Sequence, residues 1–435
     1  MQEDLIHRVT ILVLQLAVIL AAAQVAGEVC ERYLRIPAVL GELLAGVAIG
    51  PFALGGLALF GVGPLFPVPA VAVGGTTVIP VSLELYALAQ VAAIVLLFVS
   101  GLETDLTQFL RYVGPASVVA IGGVVVPFAL GAVAVVAFGH ADSLLDPPAL
   151  FMGAIMTATS VGITARVLAD LRRLDTPEGV TVLAAAVVDD VLGIMVLTIV
   201  VGIAAAGQVS PGQVALIGAK AIGFWVGLTG LGILLSSHLD RFLGWFGSSK
   251  ARLGLALALA LLGSGAAELA GLAMIIGAYS MGLAFSTTQV RLALAEPLQA
   301  LYHALVPIFF VVMGMLVDMK AMAAVLAFGL VITLLAIVGK VVGAGGISLA
   351  VGFNVRGAWR VGIGMLPRGE VALIMAGVGL ARGVIGADIF GVAIMMTLVT
   401  TVIAPLLLVP AFRTGGEGTR RRSGRGKGSE EGTQA

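Results

Sequence analysis

The chain has 435 residues, of which 60% are hydrophobic and 11% charged, against about 25% charged in an average soluble protein. Lys plus Arg and Asp plus Glu number 24 each, so no net charge draws the chain toward nucleic acid. With a mean hydropathy of +1.12, these figures exclude a water-soluble globular enzyme and place the chain in a membrane. The single Cys30 excludes an intramolecular disulfide.

Taken in chain order, the apolar residues form about thirteen segments long enough to span a bilayer. They lie near 9–27, 37–57, 83–102, 113–138, 148–169, 179–206, 211–236, 252–268, 270–287, 299–317, 321–351, 358–381 and 385–411. The first ends in Ala21-Ala-Ala-Gln-Val-Ala-Gly27, as a signal peptide does, but its leader Met1-Gln-Glu-Asp4 is acidic and its apolar stretch long. It is read as a retained span. Alternation of the thirteen segments puts Arg32, Arg35, Arg111, Arg172, Arg173, Arg241, Lys250, Arg252, Arg291, Arg356 and Arg360 on one side, and only Arg8, Lys320 and Arg382 on the other. Positive residues gather inside, so the N-terminus is predicted outside and the C-terminus in the cytoplasm. After the transmembrane unit of residues 1–412, the Gly-, Arg- and Ser-rich stretch 413–435 has no apolar periodicity and reads as a disordered basic cytoplasmic tail that can meet anionic headgroups.

The two halves resemble one another. Gly101-Leu-Glu-Thr-Asp-Leu106 is echoed by Gly314-Met-Leu-Val-Asp-Met319, and Gly41-Glu-Leu-Leu-Ala-Gly-Val-Ala-Ile-Gly50 by Gly277-Ala-Tyr-Ser-Met-Gly-Leu-Ala-Phe-Ser286. Thr157-Ala-Thr-Ser-Val-Gly-Ile-Thr164 and Leu366-Pro-Arg-Gly-Glu-Val-Ala-Leu-Ile374 each interrupt an apolar segment. One linking helix at about 211–236 separates repeat one (about 37–206) from repeat two (about 252–411), and an odd linker inverts the second repeat in the membrane. Backbone broken at membrane depth survives only where protein covers it or it lines a cavity, and paired breaks point to a transport site.

Two charges stand out at mid-membrane. Asp189 and Asp190 sit halfway along Thr181–Val200, where insertion of a single Asp costs about 2.5–3.5 kcal/mol. Lys340, in Ile337-Val-Gly-Lys-Val-Val-Gly343, lies roughly 15 Å from the nearer interface at 1.5 Å rise per residue, out of snorkelling reach. It needs a buried partner, and an Asp is the natural one. Consecutive helical residues point about 100° apart, so one Asp can pair with Lys340 while its neighbour faces water. Such a constellation marks an ion or proton site.

Val187-Val-Asp-Asp-Val-Leu-Gly193, Thr157–Leu168, Gly339-Lys-Val-Val-Gly343 and Pro367-Arg-Gly-Glu-Val-Ala-Leu373 together resemble the NapA-type bacterial sodium/proton antiporters of the monovalent cation:proton antiporter-2 family. Pro37–Gly46, Phe98–Glu103 and Pro307–Gly314 agree, so the resemblance covers about residues 8–412. It implies an all-α polytopic membrane protein with a core and a dimerisation domain, two broken helices that cross, and a homodimer in a bacterial inner membrane. Carried over by motif, Asp190 would be the principal cation and proton carrier, and Asp189 the partner of Lys340 in a salt bridge that breaks on cation binding. Thr159 and Ser160 would offer oxygens at the first break, with Glu370 and Arg368 completing the polar surroundings at the second. No cofactor is implied.

The substrate then reads as Na⁺ or Li⁺ exchanged for H⁺, with two protons per cation, and K⁺ as the chief competitor. A sodium-coupled organic-anion symporter and a gated cation channel remain the alternatives. A channel has no need of Lys340 competing with its ion, and the breaks offer an organic anion little beyond Arg368.

Overall fold

The computed structural model describes residues 2–34, 37–58, 63–68, 79–206, 211–270, 272–319 and 325–420. In chain order the helices are α1 (Gln2–Val29), α2 (Ala38–Ile49), α3 (Leu83–Glu103), α4 (Leu106–Ala137), α5 (Pro147–Thr157), α6 (Val161–Asp170), α7 (Pro177–Ala206) and α8 (Pro211–Leu234). They continue with α9 (Ser236–Gly244), α10 (Ser249–Leu269), α11 (Met274–Phe285), α12 (Val290–Met315), α13 (Leu326–Lys340), α14 (Val355–Gly364), α15 (Glu370–Ala381) and α16 (Ala387–Arg413). The fold is all-α apart from two isolated β-bridges among the described residues. Ten helices are long and apolar enough to cross a membrane, or eleven if the pair bent by 54° at Leu235 is one span. Each of the thirteen apolar segments contains helix. The count by length is lower because α11 has 12 residues and because 358–381 is split into the 10-residue α14 and the 12-residue α15.

Helices α1, α2, α3, α10, α11 and α12 pack into one panel, and α4, α5, α7, α13, α14 and α16 into a bundle. Helix α8 touches α11 on one side and α7 on the other. Lipid tails are as apolar as leucine, so contact between spans must come from close backbone approach. At the α2–α12 crossing, a Cβ on Gly46 would stand 2.0 Å from the Val311 carbonyl oxygen, and one on Gly314 2.1 Å from that of Leu43. In the bundle, a Cβ on Gly343 would lie 2.3 Å from the Gly122 carbonyl oxygen. Gly343 belongs to a π-helical turn, Val341–Gly346, that directly follows Lys340 and lets α4 and α14 approach on either side.

Residues 414–420 fold back on the bundle, whereas 421–435 lie outside the described residues. Arg360 of α14 donates to the carbonyls of Ala411, Gly415 and Gly416 and forms a 2.7 Å ion pair with Glu178 at the start of α7. Asn354 caps α14 through Gly357 and donates to Glu417 and Thr419. This first part of the tail therefore ties α7, α14 and α16 together at one end.

The α2–α12 crossing yields a stability prediction. Gly314→Ala should destabilise the purified protein by about 1–3 kcal/mol, since the backbone it strikes cannot yield. Gly114→Ala, with open space around its Cβ, should be neutral or slightly stabilising. Thermal unfolding of the two variants in detergent measures the difference.

Candidate functional site

The site is built where two helices break. Helix α5 stops at Thr157 and α6 starts at Val161, with Ala158 and Ser160 extended between them. Helix α14 stops at Gly364 and α15 starts at Glu370, after Leu366-Pro-Arg-Gly369. A helix end leaves up to four backbone groups without partners, which at this depth have no bulk water to turn to. The two breaks supply one another. The Ser160 N–H donates to the Pro367 carbonyl at 2.7 Å. The Thr164 hydroxyl donates to Gly364 at 2.6 Å, and that of Thr159 to Met365 at 3.3 Å. Gly369 fits beside Ser160 because a Cβ there would stand 2.9 Å from the Ser160 hydroxyl oxygen.

Two buried cations hold the remaining carbonyls. Lys340 Nζ donates to the Thr157 carbonyl at 2.6 Å, at the C-terminal end of α5. Arg368 donates to Met156 at 2.8 Å and to Leu366 at 3.2 Å. Both groups thus sit at the negative ends of half-helices, where the backbone dipoles favour positive charge. The Thr401 hydroxyl of α16 donates to the Arg368 carbonyl, fixing the second break against a third helix.

The carboxylates come from α7, which passes the crossing. Lys340 Nζ lies 3.3 Å from Asp189 Oδ1 and 3.5 Å from Oδ2. Lys340 and Arg368 are 0% exposed, Asp189 2% and Asp190 6%. A low-dielectric setting strengthens every charge interaction here, so the site cannot hold two carboxylates without compensating cations or protons. The crossing also borders a small, mainly apolar cavity lined by Leu43, Ser160, Ile163, Gly314, Arg368 and Gly369 among others.

Of the residues singled out in the sequence, Asp189, Lys340, Thr159, Ser160 and Arg368 meet at the crossing, and Asp190 is buried on the same turn of α7. Glu370 opens α15, but its side chain lies outside the described residues. Sequence reasoning missed Thr401, an unremarkable hydroxyl in an apolar helix. It also missed Arg166, a charged residue in an apolar span, which the logic applied to Lys340 would have flagged.

Two crossing broken helices with a buried Asp–Lys pair, inside a polytopic helical bundle, define a membrane transporter rather than an enzyme. The chain belongs to the sodium/hydrogen exchanger family, whose transmembrane model matches residues 17–414. It is 36% identical over 425 residues to the high-affinity Na⁺/H⁺ antiporter NhaS3 of Synechocystis sp., a match covering 92% of this chain and 89% of that protein. It is 32% identical over 399 residues to the Na⁺/H⁺-K⁺ antiporter GerN of Bacillus cereus, covering 92% and 95%. Among solved structures, the sodium proton antiporter MjNhaP1 of Methanocaldococcus jannaschii superimposes with a TM-score of 0.65 at 17% identity, over 92% of this chain and 98% of that one. That likeness establishes a shared fold.

Removing the Arg368 guanidinium tests the crossing. Arg368→Ala strands the Met156 and Leu366 carbonyls, at about 1–3 kcal/mol for each orphaned group. It should lose folded yield or unfold at markedly lower temperature in a detergent thermal-shift assay, while Arg111→Ala, at an exposed position, should behave as wild type.

Proposed function

We propose that the protein exchanges sodium, or lithium, for protons across a bacterial cell membrane, with both cargoes competing for Asp189 and Asp190. The observation that carries this reading is the Lys340–Asp189 contact at 3.3 Å with both groups buried and Asp190 adjacent in sequence. An amine on a carboxylate at mid-membrane occupies the place a cation would take, so binding of one displaces the other. A cation entering from an aqueous opening is held by Asp190 and Asp189, with oxygens from Thr159 and Ser160. Lys340 then gives up Asp189. When protons return, they neutralise the carboxylates and the cation leaves; the Lys340 pair forms again once Asp189 has given up its proton on the other side. A site that crosses loaded with one cargo or the other, and not empty, is an exchanger.

The helix arrangement supports alternating access, with the bundle that carries the site moving against the panel as the inverted halves exchange roles. Helix α1 presents Ile6, Val9, Val13 and Val25 outward, a face on which a second copy would form the homodimer. The N-terminus lies outside and the C-terminus in the cytoplasm, following the distribution of Lys and Arg. Two protons move for each cation because two carboxylates are present, and net charge crosses in each cycle. Potassium is the second reading, favoured by the similarity to a relative whose name includes K⁺.

In proteoliposomes holding a pH gradient, added Na⁺ or Li⁺ should collapse the gradient, and Asp190→Asn should abolish the response. A response to K⁺ alone would change the substrate, and no cation-driven proton movement from about pH 6 to 9 would overturn exchange. An imposed membrane potential should alter the rate several-fold. Indifference to potential would refute the two-proton stoichiometry.

A further inference from the structure

Helix α6 carries a second feature that the site chemistry does not use. From Ser160 at the break, one face of the helix runs through Ile163 and Arg166 to Asp170, at spacings of three, three and four residues. Ser160 and Ile163 line the small cavity at the crossing. Asp170 lines an open vestibule at the far end of the helix, between Glu31 and Pro37 on the panel side and Val167, Leu171 and Arg413 on the bundle side. Arg166 lies between these two spaces.

Helix α6 packs on α3 of the panel and on α7 and α16 of the bundle, and the contacts of Arg166 reach across to the panel. The guanidinium Nη2 lies 3.7 Å from Glu42 Oε1 of α2, and the group sits 5.1 Å above the Tyr302 ring of α12. On its own helix, Nε donates to Asp170 at 3.1 Å. The Arg166 and Glu42 side chains are only 8% and 4% exposed. Even so, Glu42 Oε2 and Arg166 Nη1 have no hydrogen-bond partner among the described residues. The Arg360–Glu178 pair, by contrast, is closed at 2.7 Å between bundle helices, with further backbone bonds around it. A buried ion pair without hydrogen bonds barely offsets its own desolvation. At this point the seam carries an ion contact too long for a hydrogen bond, and Asp170 already holds the guanidinium, so its charge stays compensated when Glu42 lets go.

We propose that Arg166 is the gate of this half of the cation pathway. Paired with Glu42, it seals the vestibule from the crossing and sets a fixed positive charge in the path. When α2 draws away, Arg166 stays on Asp170 alone, the seam opens, and the Glu42 carboxylate is left facing the passage, where it attracts an incoming cation. The proposal rests on the exchange reading above but concerns access to the site, so the two fail separately. Arg166 is a positioning residue; it touches neither the Asp pair nor Lys340 in any contact described.

The test uses Ile163→Cys in a Cys30→Ala background, in proteoliposomes, as a reporter just beyond the gate. Its rate of modification by cationic methanethiosulfonate ethylammonium, added from the vestibule side, should rise about tenfold or more on Arg166→Gln. Glu42→Gln opens the same contact from the other helix and should give the same rise, which keeps the test sound where one variant folds poorly. Reagent added from the opposite side should react at an unchanged rate, and the swap Glu42→Arg with Arg166→Glu should restore slow modification. Unchanged rates in both single variants, or equal rises from both sides, would overturn the gate and leave sodium/proton exchange untouched. A one-sided rise in a protein that moves no protons on sodium addition would support the gate and refute sodium as the cargo.

Discussion

Every charge at the centre of a membrane must be answered by another charge, a proton or a backbone dipole, and this fold turns on how four of them are answered at one crossing. Asp189 and Asp190 bring two negative charges, and Lys340 and Arg368 bring two positive ones. The positive groups do more than balance the carboxylates. Each donates to carbonyls that the broken helices leave exposed, Lys340 to Thr157 and Arg368 to Met156 and Leu366. The breaks create the need for cations, and the cations make the carboxylates tolerable. The difference between the two is consequential. Arg368 is fixed by several acceptors and by the Thr401 contact to its own backbone, whereas Lys340 divides its donors between one carbonyl and Asp189. Only the second arrangement leaves a carboxylate that a mobile cation can claim.

The rest of the molecule holds that crossing in place. Glycine contacts bring the backbones of α2 and α12 into van der Waals contact in the panel, and those of α4 and the π-helical turn after Lys340 in the bundle. Within each group, packing is rigid because backbone meets backbone. The folded start of the tail adds to this by tying α7, α14 and α16 through Arg360. Between the groups, apolar packing of α6 against Leu96 and Phe309 is joined by the Arg166–Glu42 contact at 3.7 Å.

Much of this was legible in the sequence, for a physical reason. In an apolar helix a charged residue is an outlier, so Asp189, Asp190 and Lys340 announce themselves, and Pro367 and Gly369 mark a break that an intact helix would not carry. That Lys340 needs a buried Asp follows from its depth, too far from either interface to escape, whereas the choice of Asp189 over Asp190 came from the family resemblance. The bonds joining Ser160 to Pro367 and Thr164 to Gly364 were not legible, because they run between segments some 200 residues apart. The docking of residues 414–420 was hidden by a composition rich in Gly and Arg, which reads as solvated chain. What orders it is backbone hydrogen bonding to Arg360 and Asn354, to which side-chain periodicity gives no clue. Each of the thirteen apolar segments contains helix, but only ten or eleven are long enough to count as spans, because the second break splits 358–381 and α11 has 12 residues.

The central claim is that cation and protons compete for one pair of carboxylates, and calorimetric titration of sodium into the purified protein across pH tests it most directly. If they compete, the apparent dissociation constant falls by about tenfold or more for each unit of rising pH over the range where protons leave the site, then levels off. Each sodium bound also releases protons to the buffer. A sodium affinity that stays constant from about pH 5.5 to 9 in folded protein, with no proton release, would contradict the account.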